Sequence, residues 1–181
     1  MQQTYEELFR LGTGELSRII NIDNGPARRP FFWRKRTRKA IEVLRRCVAI
    51  EPKSWPCMWY IGKAYQALGD HPAALQAFTE AADFPHGNPD VFREATIEAC
   101  KVGDGQVAMT MADRAIAASP DNAGLLANLA LASLVAHDLA RANAAADAAL
   151  QLAPNDPVSH NVARLVRAVV EGRKPCPARI P

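Results

Sequence analysis

Apolar positions recur with a helical step along most of this chain. Between Trp59 and Ala82, WYIGKAYQALGDHPAALQAFTEAA, the large side chains Ile61, Tyr65, Leu75 and Phe78 alternate with the small Gly62, Ala74 and Ala81. Spacings of three and four place one apolar stripe on each of two helices. Gly69-Asp70 divides them, glycine suiting the left-handed residue that closes one helix and aspartate the cap of the next. Pro72 then falls in a first turn, where a missing N–H costs little. The pattern predicts helix pairs over about 56–68 and 71–83, 89–102 and 105–118, and 123–136 and 139–153, then a last helix over 157–171. Asn88, Asp104, either Asp121 or Asn122, Asp138 and Asp156 are the expected caps. Such helices, of about a dozen residues, are marginal alone in water. They need one another, with small residues letting backbones approach and large ones filling the gaps. Gly62 is expected to face Ala74 within its pair, and Ala81 to meet the next repeat.

The pattern is periodic. Pro120 and Pro154 stand 34 positions apart, and the same step joins Asp70, Asp104 and Asp138. It also joins Ala40, Ala74, Ala108 and Ala142, and Cys47, Ala81, Ala115 and Ala149. Agreement of several columns without insertion signals stacked repeats. Met58, Ile61, Gly62, Tyr65, Ala74, Phe78 and Ala81 follow the order large, large, Gly, aromatic, Ala, aromatic, Ala, with Met58 in a tryptophan column and His86 in a proline column. Phe92, Ala95, Thr96, Ala99, Ala108, Ala112, Ala115 and Pro120 repeat it, as do Leu126, Leu129, Ala130, Ser133, Ala142, Ala146, Ala149 and Pro154. A half repeat, Ala40, Leu44, Cys47 and Pro52, precedes them.

Over roughly 38–171 these residues resemble the tetratricopeptide-repeat family. The resemblance implies an all-α, right-handed solenoid of helical hairpins. It would comprise a half repeat at 38–54, full repeats at 55–88, 89–122 and 123–156, and a capping helix at 157–171. Residues 1–37 are expected to be an irregular helical segment, with short helices at Thr4–Leu11 and Gly14–Ile22, a turn at Gly12–Leu16 and a loop at Asn21–Pro30. The early segments are expected to substitute for the missing first helix by packing on Ala40–Ile50. The proline-rich, basic tail 172–181 is expected to be mobile.

In this family the first helix of each repeat lines a groove. Carried onto this sequence, that implies a surface made by Trp59, Lys63 and Gln66, then Arg93, Ile97 and Lys101, then Asn128, Leu131 and Val135. Cationic and amide groups at one end and aliphatic groups at the other suit an extended or helical peptide. A subclass grips the acidic tails of chaperones with a two-carboxylate clamp of Lys, Asn and Arg. Here those columns hold Trp59 and Lys63, then Glu94, then Gly124 and Asn128, and Glu94 would repel a carboxylate.

Charge adds one feature. The chain has 181 residues and a formal net charge of +3, yet Arg28, Arg29, Arg34, Lys35, Arg36, Arg38, Lys39, Arg45 and Arg46 crowd one short segment with a single acid, Glu42. An acidic protein, nucleic acid or an anionic membrane surface would suit this patch, with Phe31, Phe32 and Trp33 stacking on bases or entering a lipid interface. The plainer alternative is that these aromatics plug the incomplete first repeat and the charges are merely solvated. No sequence-reading nucleic-acid motif accompanies the patch.

Chemistry is otherwise sparse. Cys47, Cys57, Cys100 and Cys176 form no C-x-x-C pair and read as free thiols in a reducing compartment. His71, His86, His137 and His160 fall in different repeats, and His137 at an inter-helix turn. Gly62-Lys63 lacks the phosphate-loop spacing. No nucleophile motif, metal pattern or cofactor fingerprint is present, and the start MQQTYEELFR has no apolar signal core. The reading is a cytoplasmic, non-catalytic protein-binding module acting as adaptor, co-chaperone or assembly factor. A second copy of the chain remains open as a partner.

Overall fold

The structure is a computed structural model and describes residues 3–17, 19–20, 31–84 and 88–180. Among these the secondary structure is entirely helical. The chain divides into two compact units, Met1–Phe84 and Pro85–Pro181.

The first unit holds α1 (Tyr5–Ser17), α2 (Trp33–Ile50), α3 (Trp55–Leu68) and α4 (His71–Ala82). Each packs on the next in chain order. Leu8, Leu16, Ala40, Ile41, Leu44, Cys47, Cys57 and Ile61 form its core. A Cβ at Gly62 would stand 2.6 Å from Phe78 Cε1, so glycine lets the α4 phenylalanine ring lie against the α3 backbone. The partner of Gly62 is thus the bulky Phe78, and Phe78 is fully buried.

The α1–α2 hairpin repeats this device. A Cβ at Gly12 would stand 2.7 Å from Leu44 Cγ. Two short helices and a turn at Gly12–Leu16 are expected from the sequence, but α1 runs unbroken through that stretch. The reason is the close approach: Gly12 sits at a helix crossing, and burial of Leu8 and Leu16 on α2 outweighs the low helix propensity of two glycines. α2 also starts at Trp33, ahead of 38. Residues 21–30, including the expected loop, lie outside the described residues, as do His86 and its neighbours 85 and 87.

The second unit holds α5 (Pro89–Val102), α6 (Gly105–Ala118), α7 (Ala123–Val135), α8 (Leu139–Leu152) and α9 (Pro157–Val170). α5 pairs with α6, α7 with α8, and α5, α7 and α9 lie side by side as one layer. Ala112, Ala130, Leu134, Ala142, Ala146, Ala149, Val162 and Val166 build the core. In both units, caps begin the helices where the sequence puts them. Asp70, Asn88, Asp104, Asn122, Asp138 and Asp156 each accept a backbone N–H of the following turn. Gly69 and Gly103 take the left-handed conformation at φ 79° and 92°. His137, 34 residues past Gly103, takes it too, at φ 60°, without glycine's freedom.

The segment after α9, expected to be mobile, instead lies packed on this second unit as far as residue 180. Lys174 N donates to Ala168 O at 2.9 Å, and Ile180 N to Cys100 O at 3.0 Å. The Cys176 thiol donates to Leu134 O at 3.0 Å. Pro181 lies outside the described residues.

Candidate peptide-binding surface

The groove residues read from the sequence divide between the units. On α3, Lys63 Nζ stands 5.7 Å from the Trp59 ring centroid, and Tyr60 meets that ring edge-on at 5.0 Å. The Trp59 indole N–H is buried and finds no acceptor among the described residues. A buried donor left without an acceptor costs free energy. Gln66 is half-buried on the same helix.

In the second unit the structure brings four of the residues together. Ile97 and Lys101 of α5 and Asn128 and Leu131 of α7 line a cavity of about 50 Å³ with Thr96, Cys100 and Ile180. Helix geometry explains the grouping: 97 and 101 are one turn apart on α5, as 128 and 131 are on α7, so each pair shares a face. The layer formed by α5 and α7 then turns these faces toward one hollow. Ile97 and Leu131 supply apolar surface, and the Asn128 amide and Lys101 ammonium supply donors. Burial pushes the Cys100 thiol up to about 12, so it lines the hollow as an apolar group.

Two groove residues depart from expectation in character. Arg93 is engaged by its own helix, at 2.9 Å from Asp90 and 3.2 Å from Glu94. Lys101 stands 3.0 Å from Glu98, whose side chain is wholly buried. The cationic end of the surface is therefore largely matched by carboxylates within α5. Val135 offers no lining surface: it is 5% exposed. It sits where the start of α6 presses on the end of α7, a Cβ at Gly105 standing 2.5 Å from Ala136 Cα and 2.8 Å from Val135 C.

Sequence reasoning missed Thr96, Cys100 and the tail. The signal was present in part, because Cys100, Leu134 and Ala168 follow the 34-residue step. Each lies in the last turn of a layer helix, where backbone carbonyls lack helical partners. These three carbonyls receive the tail's hydrogen bonds.

The basic patch occupies α2. Arg34, Lys35, Arg36, Arg38, Lys39, Arg45 and Arg46 are all exposed, while Arg28 and Arg29 lie outside the described residues. Arg45 donates to Tyr65 Oη at 2.8 Å, Arg46 donates to Gln3 Oε1 at 2.8 Å, and Arg34 lies 4.8 Å over the Trp33 ring. Phe31 is 92% and Phe32 63% exposed, their rings meeting edge-on at 4.8 Å. They do not plug the first repeat, because α1 already covers that face of α2.

Among the described residues, no three His, Cys, Asp or Glu side chains gather as metal ligands would, and no helix is long and apolar enough to cross a membrane.

No family model and no curated protein matches the sequence. Solved structures do match the fold. MamA (residues 41 to its end) from Desulfovibrio magneticus is similar with a TM-score of 0.73 at 17% identity, over 94% of this chain and 88% of that one. YrrB, described as a TPR protein with an unusual peptide-binding site, is similar with a TM-score of 0.66 at 15% identity, over 77% and 72%. The first TPR of Spaghetti (RPAP3), bound to the HSP90 peptide SRMEEVD, is similar with a TM-score of 0.59 at 18% identity, over 66% and 94%. At such identities the likeness establishes the fold, the helical-hairpin fold of tetratricopeptide repeats.

Proposed function

We propose that this tetratricopeptide-repeat protein is a non-catalytic protein-interaction module that captures an extended peptide segment on the first helices of its repeats. The observation that carries the reading is the hollow between α5 and α7, where Ile97 and Leu131 stand beside the donors of Asn128 and Lys101. An apolar wall takes alternate side chains, and amide and ammonium groups take backbone carbonyls. YrrB and the RPAP3 repeat, which share the fold, are both described with peptides. The work of an adaptor or assembly factor would follow from such capture. A carboxylate clamp for acidic tails is a poor fit, since Glu94 stands in the clamp column and Arg93 is already paired to it.

The test is selection of peptides from a displayed library on the full chain, followed by affinity measurement. Leu131→Asp should weaken the selected peptides at least about tenfold, the scale of one lost apolar anchor, with helicity by circular dichroism unchanged. Trp59→Ala with Arg93→Ala should weaken capture without unfolding the chain. Affinity indifferent to all three changes would overturn the reading.

A second reading is favoured by the exposed Phe31–Phe32 pair beside Lys35, Arg36 and Lys39. Cations with adjoining exposed aromatics suit an anionic membrane surface or nucleic acid. Arg34, Lys35, Arg36 and Arg38 changed together to Gln should abolish such binding, and salt should weaken it steeply. Binding to anionic vesicles or single-stranded nucleic acid that ignores both would exclude it.

A further inference from the structure

Three carbonyls at one repeat position, Cys100 O, Leu134 O and Ala168 O, lie in the last turns of α5, α7 and α9. Helix ends leave such carbonyls without donors from their own helix, although His137 N in the following turn also reaches Leu134 O at 2.9 Å, and there the helix dipole is negative. Together they form a row of acceptors across one edge of the layer. The segment after α9 runs along this row: Lys174 N reaches Ala168 O, the Cys176 thiol Leu134 O and Ile180 N Cys100 O. Ala178 O crosses Gly103 so closely that a Cβ there would stand 2.8 Å away. Gly69, at the corresponding turn of the first unit, has nothing within 4 Å of its Cβ direction. Ile180 then borders the hollow formed by Ile97, Lys101, Asn128 and Leu131.

We propose that this edge is a binding site for extended, basic segments with an aliphatic anchor, and that residues 174–180 are its built-in occupant, which a partner segment must displace. The inference rests on the reading of the α5–α7 face as a peptide surface, and adds the ligand's chemistry and a competitor. The chemistry follows from the occupant. Backbone carbonyls accept from any N–H, so the row fixes course and direction and leaves side chains free. Lys174 and Arg179 give the segment two cations and no acid, suited to the negative helix ends it crosses, while Arg173 just ahead of it pairs with Glu171. Pro175 and Pro177 hold it extended. Ile180 is its apolar anchor, and the cavity of about 50 Å³ beside it is room that a larger anchor would fill. A tethered occupant competes at an effective concentration near millimolar, so the site is masked from weak ligands.

The experiment uses the full chain and a fluorescent synthetic copy of residues 172–181 under reducing conditions. Ile180→Asp should expel the tethered segment without touching the helices, and Ile180→Ala is the milder second variant. The copy should bind either variant at least about tenfold tighter than wild type. A copy with Glu at the three basic positions should not bind. Adding Leu131→Asp to Ile180→Asp should remove binding of the unaltered copy. Equal affinity for wild type and both Ile180 variants, lost on Leu131→Asp, would overturn the built-in competitor while leaving the peptide surface standing. Binding indifferent to Leu131→Asp would overturn the surface itself. No binding to any variant would overturn the inference.

Discussion

Gly12 and Gly14 lie two residues apart in α1 and should respond oppositely to the same substitution. A Cβ at Gly12 would stand 2.7 Å from Leu44 Cγ and 2.8 Å from its Cδ2. Leu44 is fully buried, so it has no free volume into which to withdraw. Overpacking of this kind costs about 1–3 kcal/mol. Alanine returns about 1 kcal/mol of helix propensity. Gly12→Ala should therefore lower stability by a net zero to about 2 kcal/mol. At Gly14 nothing lies within 4 Å of the Cβ direction, and the residue is exposed. Gly14→Ala keeps only the propensity gain, about 0.5–1 kcal/mol of added stability. The two variants should differ by the overpacking cost alone, a spread in urea midpoint on the order of 1 M. Urea unfolding followed by circular dichroism measures it, and both variants report on the same hairpin. Equal shifts of the same sign would refute the crossing of α1 on α2 at Gly12.

Other outcomes follow from single sites. His137→Gly should stabilise the chain by about 1 kcal/mol, because it removes a left-handed non-glycine residue; a lowered thermal midpoint would contradict this. Gly105→Ala should be among the most damaging changes, at or above the top of about 1–3 kcal/mol, since its Cβ would meet Ala136 backbone at 2.5 Å; an unchanged melt would refute that packing. Iodoacetamide on the folded protein should label half-exposed Cys176 well before Cys47, Cys57 or Cys100, because burial pushes Cys47 and Cys100 up to about 12; mass spectrometry finding Cys100 labelled first would count against the burial. The Ser159 hydroxyl and backbone N–H donate to Asp156 and hold its carboxyl below the ordinary range. The stabilisation of α9 that this gives is complete above the ordinary carboxylate pKa and is lost as pH falls through the lowered one. Asp156→Asn should flatten that acid limb of the stability profile, and a profile unchanged by it would remove the cap from the account.

The repeats were legible because their punctuation is local. Gly69-Asp70 and Gly103-Asp104 each state a helix end and the next helix start, Asn88-Pro89 states a start, and the structure ends and begins its helices there. α1 was harder to read, since Gly12 and Gly14 look like turn residues until the partner that requires Gly12 is known. That partner, Leu44, is 32 positions away, beyond a segment that breaks the repeat step. The tail was harder still. Its prolines and cations describe a segment that makes no regular structure, and composition cannot reveal that Ile180 N will meet a carbonyl 80 residues back. That Ile97, Lys101, Asn128 and Leu131 share one hollow follows from repeat position, because one helical face fixes each pair. Val135 is buried because the start of α6 presses on the end of α7 at Gly105, which repeat position does not encode.

The most direct test is nuclear Overhauser spectroscopy on the methyl-labelled full chain. If an extended segment lies across the ends of α5 and α7, the Ile180 methyls should give cross-peaks to Ile97 and Leu131 methyls, and the Ile180 amide should be protected from exchange. Random-coil Ile180 shifts, with no such cross-peaks and no amide protection, would contradict it.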